Sequence, residues 1–336
     1  MQTILQKRKL KENFGNYWIN KMNRKAIIFG IKGTVLTNEE KKLLRTAKPW
    51  GIILFSRNIK NIKQLKLLIL DIKSKMKDKK YPILIDQEGG KVSRLNSILD
   101  FTTFSQLSFG KLYKKNKKLF NYYYKIYLEK TSEILNDVGI NINTVPVLDV
   151  LRNNSHKIIG DRSFSKDVDS IKIIGSQCVK IFKKNKIGTV MKHIPGHGLA
   201  LVDSHYKLPI VNASKNQLLK KDFKAFKNCN SFFAMTAHVL YRKYDPSYPA
   251  THSKILINKI IRRHIGFKGI LISDDISMKA LGKDLIKNAT LALNSGCNIV
   301  LHCNGKINEM KKISEVIPKI DNFTMKKTSL FYQFLS

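Results

Sequence analysis

The stretch Lys192–Pro209, KHIPGHGLALVDSHYKLP, holds His193, His197 and His205, three of the chain's eight histidines. Three kinds of chemistry suit it. Neutral imidazoles are common zinc ligands, but Pro195, Gly196 and Gly198 interrupt the run and there is no HExxH. The first pair of histidines therefore cannot share a helical face. A structural reading, in which polar side chains knit a long loop to the body of the protein, suits His197. A carboxylate–imidazole dyad suits Asp203 and His205. A carboxylate holds the ring in one tautomer and stabilises its protonated form, and histidine titrates near neutrality, so the pair can give and recover a proton.

Other residues carry chemistry of their own. In ILISDDISMKAL, Asp274 and Asp275 sit at the end of an apolar run, where successive side chains of a strand point to opposite faces. One can face a site as nucleophile, general base or metal ligand, while the other caps the next segment or pairs with a cation. In ILIDQEGGKVSRLN, the Gly89–Gly90 pair permits a tight turn between Asp86 and Arg94. Carboxylates and guanidinium groups that grip neighbouring oxygens are common tools for holding sugars. Arg162 in GDRSFS and the Lys192–His193 pair are further candidates, although strand alternation would send Lys192 and His193 different ways. His238 in MTAHVLY reads equally as a buried, satisfied histidine or as a ligand contact.

These residues need elements to position them. Short apolar runs, AIIFG (Ala26–Gly30), GIILF (Gly51–Phe55), PILID (Pro82–Asp86) and INTVPVLD (Ile142–Asp149), alternate with helical patterns. The series continues with GTVMKH (Gly188–His193), FFAMTAH (Phe232–His238), GILISDD (Gly269–Asp275) and NIVLHC (Asn298–Cys303). Continuous apolar runs fit parallel strands covered on both faces. Between them lie helical patterns such as Asn61–Met76 and Val168–Asn185. The α/β pattern predicts a single (β/α)8 TIM-type barrel. A doubly wound sheet is the alternative, weakened because no GxGxxG follows the first strand. In a barrel, sites lie at the C-terminal strand ends, where Asp86, Glu88, Asp149, Lys192, His193, His238, Asp274 and Asp275 fall. Residues 1–23 read as a basic N-terminal extension and residues 24–336 as the barrel domain. The tail after Lys312 is expected to pack as a helix and then end loosely held.

Composition bounds the partners. The net charge is +38, from 62 Lys+Arg against 24 Asp+Glu, but the excess is mostly lysine and runs along the whole chain. That spread, with abundant isoleucine and asparagine, matches what an A- and T-rich genome imposes, so no specific nucleic-acid partner is expected. The densest run, Lys111–Lys125, interleaves lysine with aromatics; it could bind RNA, and its spacing also suits a surface helix with an apolar face. The four cysteines form no CxxC pair and read as reduced thiols. No apolar run reaches the length of a membrane span, and no secretory signal is evident. A cytoplasmic monomer is expected.

Against this background the blocks GIILFSRNIKNIKQL, IDQEGGKVSRL, GDRSFS, KHIPGHGLALVDSH, ISDDISM and GCNIVLHCN, spanning about residues 26 to 305, resemble in the same order those of glycoside hydrolase family 3. The resemblance is to its short, single-domain bacterial β-N-acetylhexosaminidases of cell-wall recycling. It implies that Asp274 is the catalytic nucleophile and His205 the general acid/base, with Asp203 as its dyad partner. It also implies that Asp86, Arg94, Arg162, Lys192 and His193 bind a terminal N-acetylglucosamine. The implied reaction removes a non-reducing β-linked N-acetylglucosamine with retention, from muropeptide fragments carrying 1,6-anhydro-N-acetylmuramic acid. No cofactor and no metal are implied. A relative of different sugar specificity, a phosphorylase and a non-catalytic glycan- or nucleic-acid-binding barrel are the competing readings. Lys91 and Asn298 depart from the family's usual arginine and aspartate, at positions with no implied catalytic role.

Overall fold

A computed structural model describes residues 23–152 and 159–336; the basic extension, but for Asn23, lies outside the described residues. Eight parallel strands close into a barrel in sequential order. They are β1 (Lys25–Gly30), β2 (Pro49–Leu54), β3 (Ile83–Ile85), β4 (Ile142–Asn143), β5 (Gly188–Ile194), β6 (Phe233–Thr236), β7 (Ile270–Asp275) and β8 (Ile299–His302). The pairing Ile28↔Leu301 joins β8 back to β1 and closes the ring. Almost every strand residue is buried, because side chains fill the barrel on one face and meet helices on the other.

The helices follow the strands: α1 (Asn38–Ala47), α2 (Ile62–Met76), α3 (Gln106–Lys115), α4 (Lys117–Val138), α5 (Val168–Lys184) and α6 (Lys215–Lys220). A wider-turned helix, Leu256–His264, follows β6; then come α7 (Leu285–Ser295), α8 (Ile307–Val316) and α9 (Asn322–Phe334). Their starts are written locally. Thr37 and Glu40 form a reciprocal capping box on α1, and Asn61, Asp167 and Asp321 cap α2, α5 and α9 with side-chain oxygens. The lysine-rich run Lys111–Lys125 is two helices rather than one, because Asn116 closes α3 and caps α4.

Two readings of the sequence need correction. The fourth strand keeps regular pairing only over Ile142–Asn143, since Pro146 has no N–H for the ladder. The chain nevertheless stays beside β5, with the Leu148 N–H donating to the Lys192 carbonyl at 2.8 Å. The C-terminus is not loosely held. α9 plugs the N-terminal end of the barrel: Phe331 and Tyr332 are fully buried, and the Phe331 ring lies 5.1 Å from that of Phe233. The Trp50 indole N–H donates to the Thr328 hydroxyl at 2.9 Å, and Arg24 is buried between Asp78 and Tyr332. Gly188 opens β5 because any side chain there would collide with the Phe331 ring. No helix among the described residues is long and apolar enough to cross a membrane.

Candidate active site

At the opposite, C-terminal end the strands surround a cavity of about 300 Å³. Asp86, Arg94, Arg162, Lys192, His193, His205 and Asp274 all line it, as do the apolar side chains of Phe55, Met235, Met278 and Leu301. Asp203 stands one step back, behind His205, and Glu88, Asp149 and His238 also lie outside the lining.

One wall is a buried charge network. The Lys192 ammonium donates to Asp86 Oδ1 (3.0 Å) and the Thr144 hydroxyl (2.9 Å) and forms an ion pair with Glu88 Oε1 at 2.7 Å. The Thr144 hydroxyl in turn donates to Asp86. Arg162 forks onto Glu88, with Nε and NH2 each donating at 2.8 Å. Arg94 approaches Asp86 Oδ2 at 3.4 Å from the rim. Burial alone would raise the Asp86 carboxyl, yet Lys192, Arg94 and Thr144 hold it well below the usual carboxylate range. Burial opposes ionisation of Glu88 too, but Arg162 and Lys192 pull its pKa down to about 2.

The backbone after β3 makes this possible. Gly89 and Gly90 adopt φ of 87° and 61°, and a Cβ on Gly89 would sit 2.2 Å from the Phe104 carbonyl oxygen. Gln87 then accepts the Arg94 and Leu95 amides through Oε1, at 2.8 and 3.1 Å, fixing where Arg94 leaves the turn.

A second buried carboxylate organises the start of the histidine loop. Asp149 Oδ2 accepts from His193 Nδ1 at 2.7 Å, and Oδ1 accepts the His197 amide at 2.6 Å. His193 Nε2 lies 3.5 Å from Arg162 NH2. Burial pushes the Asp149 carboxyl up, but His193 and His197 outweigh it and keep it low. Both the Lys192 and His193 side chains line the cavity, so the alternation expected of a strand does not hold at this pair.

The loop itself is anchored at both roots. The Tyr241 hydroxyl donates to the Gly196 carbonyl at one end, and the Leu240 amide donates to the Pro209 carbonyl at the other. Midway, His197 Nε2 lies 3.3 Å from the Ser204 hydroxyl, and the Ala280 amide donates to the Ser204 carbonyl at 3.2 Å. Burial drops the His197 pKa to about 4, so its ring is neutral at pH 7. Asp203 Oδ1 accepts both the His205 amide (2.8 Å) and Nδ1 (2.7 Å), while the His205 side chain remains 56% exposed. The three imidazole rings thus have three separate partners, Asp149, Ser204 and Asp203. Among the described residues no group of His, Cys, Asp and Glu could hold a metal ion.

The two adjacent aspartates both border the cavity but are committed differently. Asp275 is tied into structure, accepting the Ser277 amide (3.0 Å) and hydroxyl (2.7 Å). Asp274 faces the cavity. Burial favours its neutral form, but the surrounding His238 and His193 rings and the Asp275 amide outweigh that and hold it ionised. His238 is a satisfied core histidine, 2.7 Å from the Thr251 hydroxyl and 3.0 Å from the Asp275 carbonyl. Since that carbonyl can only accept, Nε2 carries the proton. The arrangement combines one ionised carboxylate, one solvent-accessible imidazole with its own orienting carboxylate, and a wall of fixed charges suited to hydroxyl groups.

Sequence reading placed Glu88 and Asp149 at strand ends but assigned neither a task. Glu88 lies two residues beyond Asp86, on the same side of an extended chain, which was the one signal available for it.

Comparison with known proteins agrees with this geometry. Residues 22–329 match the family model of the glycosyl hydrolase family 3 N-terminal domain. A β-hexosaminidase of Actinobacillus succinogenes is 33% identical over 286 residues, covering 83% of this chain and 81% of that protein. The native NagZ structure from Neisseria gonorrhoeae superposes with a TM-score of 0.83 at 30% identity, covering 94% of this chain and 90% of that one. The same gonococcal protein in complex with N-trifluoroacetyl-D-glucosamine gives a TM-score of 0.81 at 29% identity, with 94% and 90% covered.

Proposed function

The chain belongs to glycosyl hydrolase family 3 and is a glycoside hydrolase of β-hexosaminidase type, and from that premise we propose that it is a retaining exo-β-N-acetylglucosaminidase. The observation that carries this reading is that Asp274 and His205 line one cavity together with the Asp86–Lys192–Glu88–Arg162 network. At about 300 Å³ the cavity lies at the small end of ligand sites, which favours a single terminal residue over a longer chain. The gonococcal neighbour's complex with an N-acylated glucosamine supports the choice of amino sugar.

In this reading Asp86, Arg94, Arg162, Lys192 and His193 hold the terminal sugar through its hydroxyl and acetamido groups. A carboxylate accepts from hydroxyls and the cations donate, so the two signs in the network read the ring from several sides. Asp274 attacks the anomeric carbon as the glycosidic bond breaks. The departing oxygen takes a proton from Nε2 of protonated His205, whose Nδ1–H stays on Asp203. The resulting glycosyl ester is hydrolysed by water, which gives a proton back to His205 as its oxygen bonds the same carbon. Two inversions amount to net retention. An imidazole in place of a second carboxyl avoids setting another anion beside Asp274. The preferred substrate is a muropeptide fragment with N-acetylglucosamine on 1,6-anhydro-N-acetylmuramic acid, processed in the cytoplasm.

The test is an aryl N-acetylglucosaminide compared with an aryl glucoside, each with and without phosphate. Hydrolysis of the first alone, independent of phosphate, is expected. Asp274→Ala should abolish it while the thermal unfolding curve stays cooperative; full activity of that variant would overturn the mechanism.

A further inference from the structure

Exposed apolar side chains are scattered over most of the barrel, but on α4 four of them fall in line. Leu119, Tyr122, Tyr123 and Ile126 are between 44% and 62% exposed and occupy positions i, i+3, i+4 and i+7, one stripe of a helix. Phe120, Tyr124, Tyr127 and Leu128 bury the neighbouring face against the barrel. The first half of α4 is therefore apolar toward the core and again toward solvent. From Lys111 to Ile126 the chain holds six lysines and no Asp or Glu, and those lysines are exposed. Acidic residues return only afterwards, where Glu129 lies 3.9 Å from Lys125 and Glu133 lies 3.0 Å from Lys130. The patch is confined to the corner where α3 meets α4.

The fold puts that corner on the catalytic side. The chain leaves the C-terminal end of β3 to enter α3, so the start of α4 lies toward the rim of the cavity. α3 also packs so tightly on the segment after Arg162 that Gly110 has no room for a Cβ against the Phe164 carbonyl.

We propose that this α3–α4 corner docks the protein on an anionic lipid surface. The stripe would sit at the boundary of headgroups and acyl chains, while the lysines reach the phosphates with their aliphatic stems lying along the surface. Tyrosine suits that boundary, since its ring is apolar and its hydroxyl stays wet. Each lysine near such a surface strengthens binding about fivefold. Two other partners fit less well. A nucleic acid needs aromatic faces free for stacking; here the Tyr122 and Tyr123 rings meet edge to face at 78° with centroids 5.2 Å apart, and the other half of the stripe is aliphatic. A second copy packed symmetrically would bring the same lysine cluster against itself. Docking here would hold the cavity beside the headgroups, and the inference stands whether or not the sugar assignment does.

Co-sedimentation of the full chain with phosphatidylglycerol–phosphatidylethanolamine vesicles tests it, with pure phosphatidylcholine vesicles and single-stranded RNA as comparators. Binding to the anionic vesicles, weakening with added salt, is expected. The triple variant Tyr122→Ser/Tyr123→Ser/Ile126→Ser leaves net charge unchanged and should lower vesicle affinity at least tenfold, with hydrolysis of a soluble aryl substrate and the melting curve unaltered. Lys254→Gln/Lys259→Gln/Lys268→Gln, on the far side of the barrel, should change vesicle affinity less than threefold. The proposal falls if the serine variant binds vesicles like the parent, if the remote lysine variant loses as much, or if the serine changes abolish RNA binding or self-association and spare vesicle binding.

Discussion

Glu88→Gln isolates the counter-charge that holds two proposed sugar-binding cations. The substitution keeps shape but removes a carboxylate that touches both Arg162 and Lys192. One amide terminus must then point N–H groups at a guanidinium or ammonium N–H, and a buried positive charge loses its partner. The size follows from the ionisation of the parent residue. A carboxyl that ordinarily titrates at 4.5 and here titrates at about 2 is favoured in its charged form by about 3 kcal/mol. In a domain of this size that lowers Tm by about 4–5 °C. Misplacement of Arg162 and Lys192 should also cost about 10²-fold in kcat/KM. The pH dependence separates charge from packing. Because the folded pKa lies below the unfolded one, the stabilisation is complete above pH 4.5 and is lost as pH falls toward 2. The Tm gap between parent and variant should therefore be roughly halved by pH 3. Circular dichroism melts from pH 7 to pH 3, with kinetics on an aryl N-acetylglucosaminide, give both readouts. A variant with unchanged Tm and kcat/KM, or a gap that ignores pH, refutes the reasoning.

Two further outcomes are expected. His205→Ala should retain substantial activity on aryl glycosides whose leaving group needs no proton, but lose 10²–10⁴-fold, as an order of magnitude, on alkyl glycosides; equal losses on both would remove His205 from the proton-donor role. Phe331→Ala, at the opposite end of the barrel, should cost about 3–5 kcal/mol in urea denaturation while leaving KM unchanged in the protein that remains folded. A large change in KM would mean that the plug reaches the site.

Much of the barrel was legible because parallel strands buried on both faces must be written as short apolar runs, and runs such as Ala26–Gly30 and Gly269–Asp275 meet no competing requirement. Their polar last residues marked the mouth for the same reason: a carboxylate or imidazole is tolerated only where the core stops. What escaped was pairing across distance. Nothing local in Asp149 says that it will accept the amide of His197, and nothing in Glu88 announces Arg162, 74 positions away. The C-terminal plug was missed likewise. Phe331 and Tyr332 are adjacent rather than helically spaced, and the residues that meet Thr328, Phe331 and Tyr332, namely Trp50, Gly188, Phe233 and Arg24, are spread over four earlier segments. Asn298, a departure from the family's usual aspartate, still accepts Arg262 NH2 (2.7 Å) and the Leu271 amide (2.8 Å), because a neutral carbonyl oxygen suffices for both.

The two oriented imidazoles of the site differ in where their orienters live. His193 is held by Asp149, from the segment that continues beyond β4, so its geometry is set by the barrel. His205 and Asp203 are two residues apart on one exposed loop, joined by a side-chain and a backbone hydrogen bond to the same oxygen. The dyad is thus a self-contained cassette. Any displacement of the loop carries acid and orienter together, so distance to the reacting bond can change while the tautomer does not. Position and tautomer become separately adjustable, and substitutions in Leu199–Val202 offer a way to vary the first without touching the second.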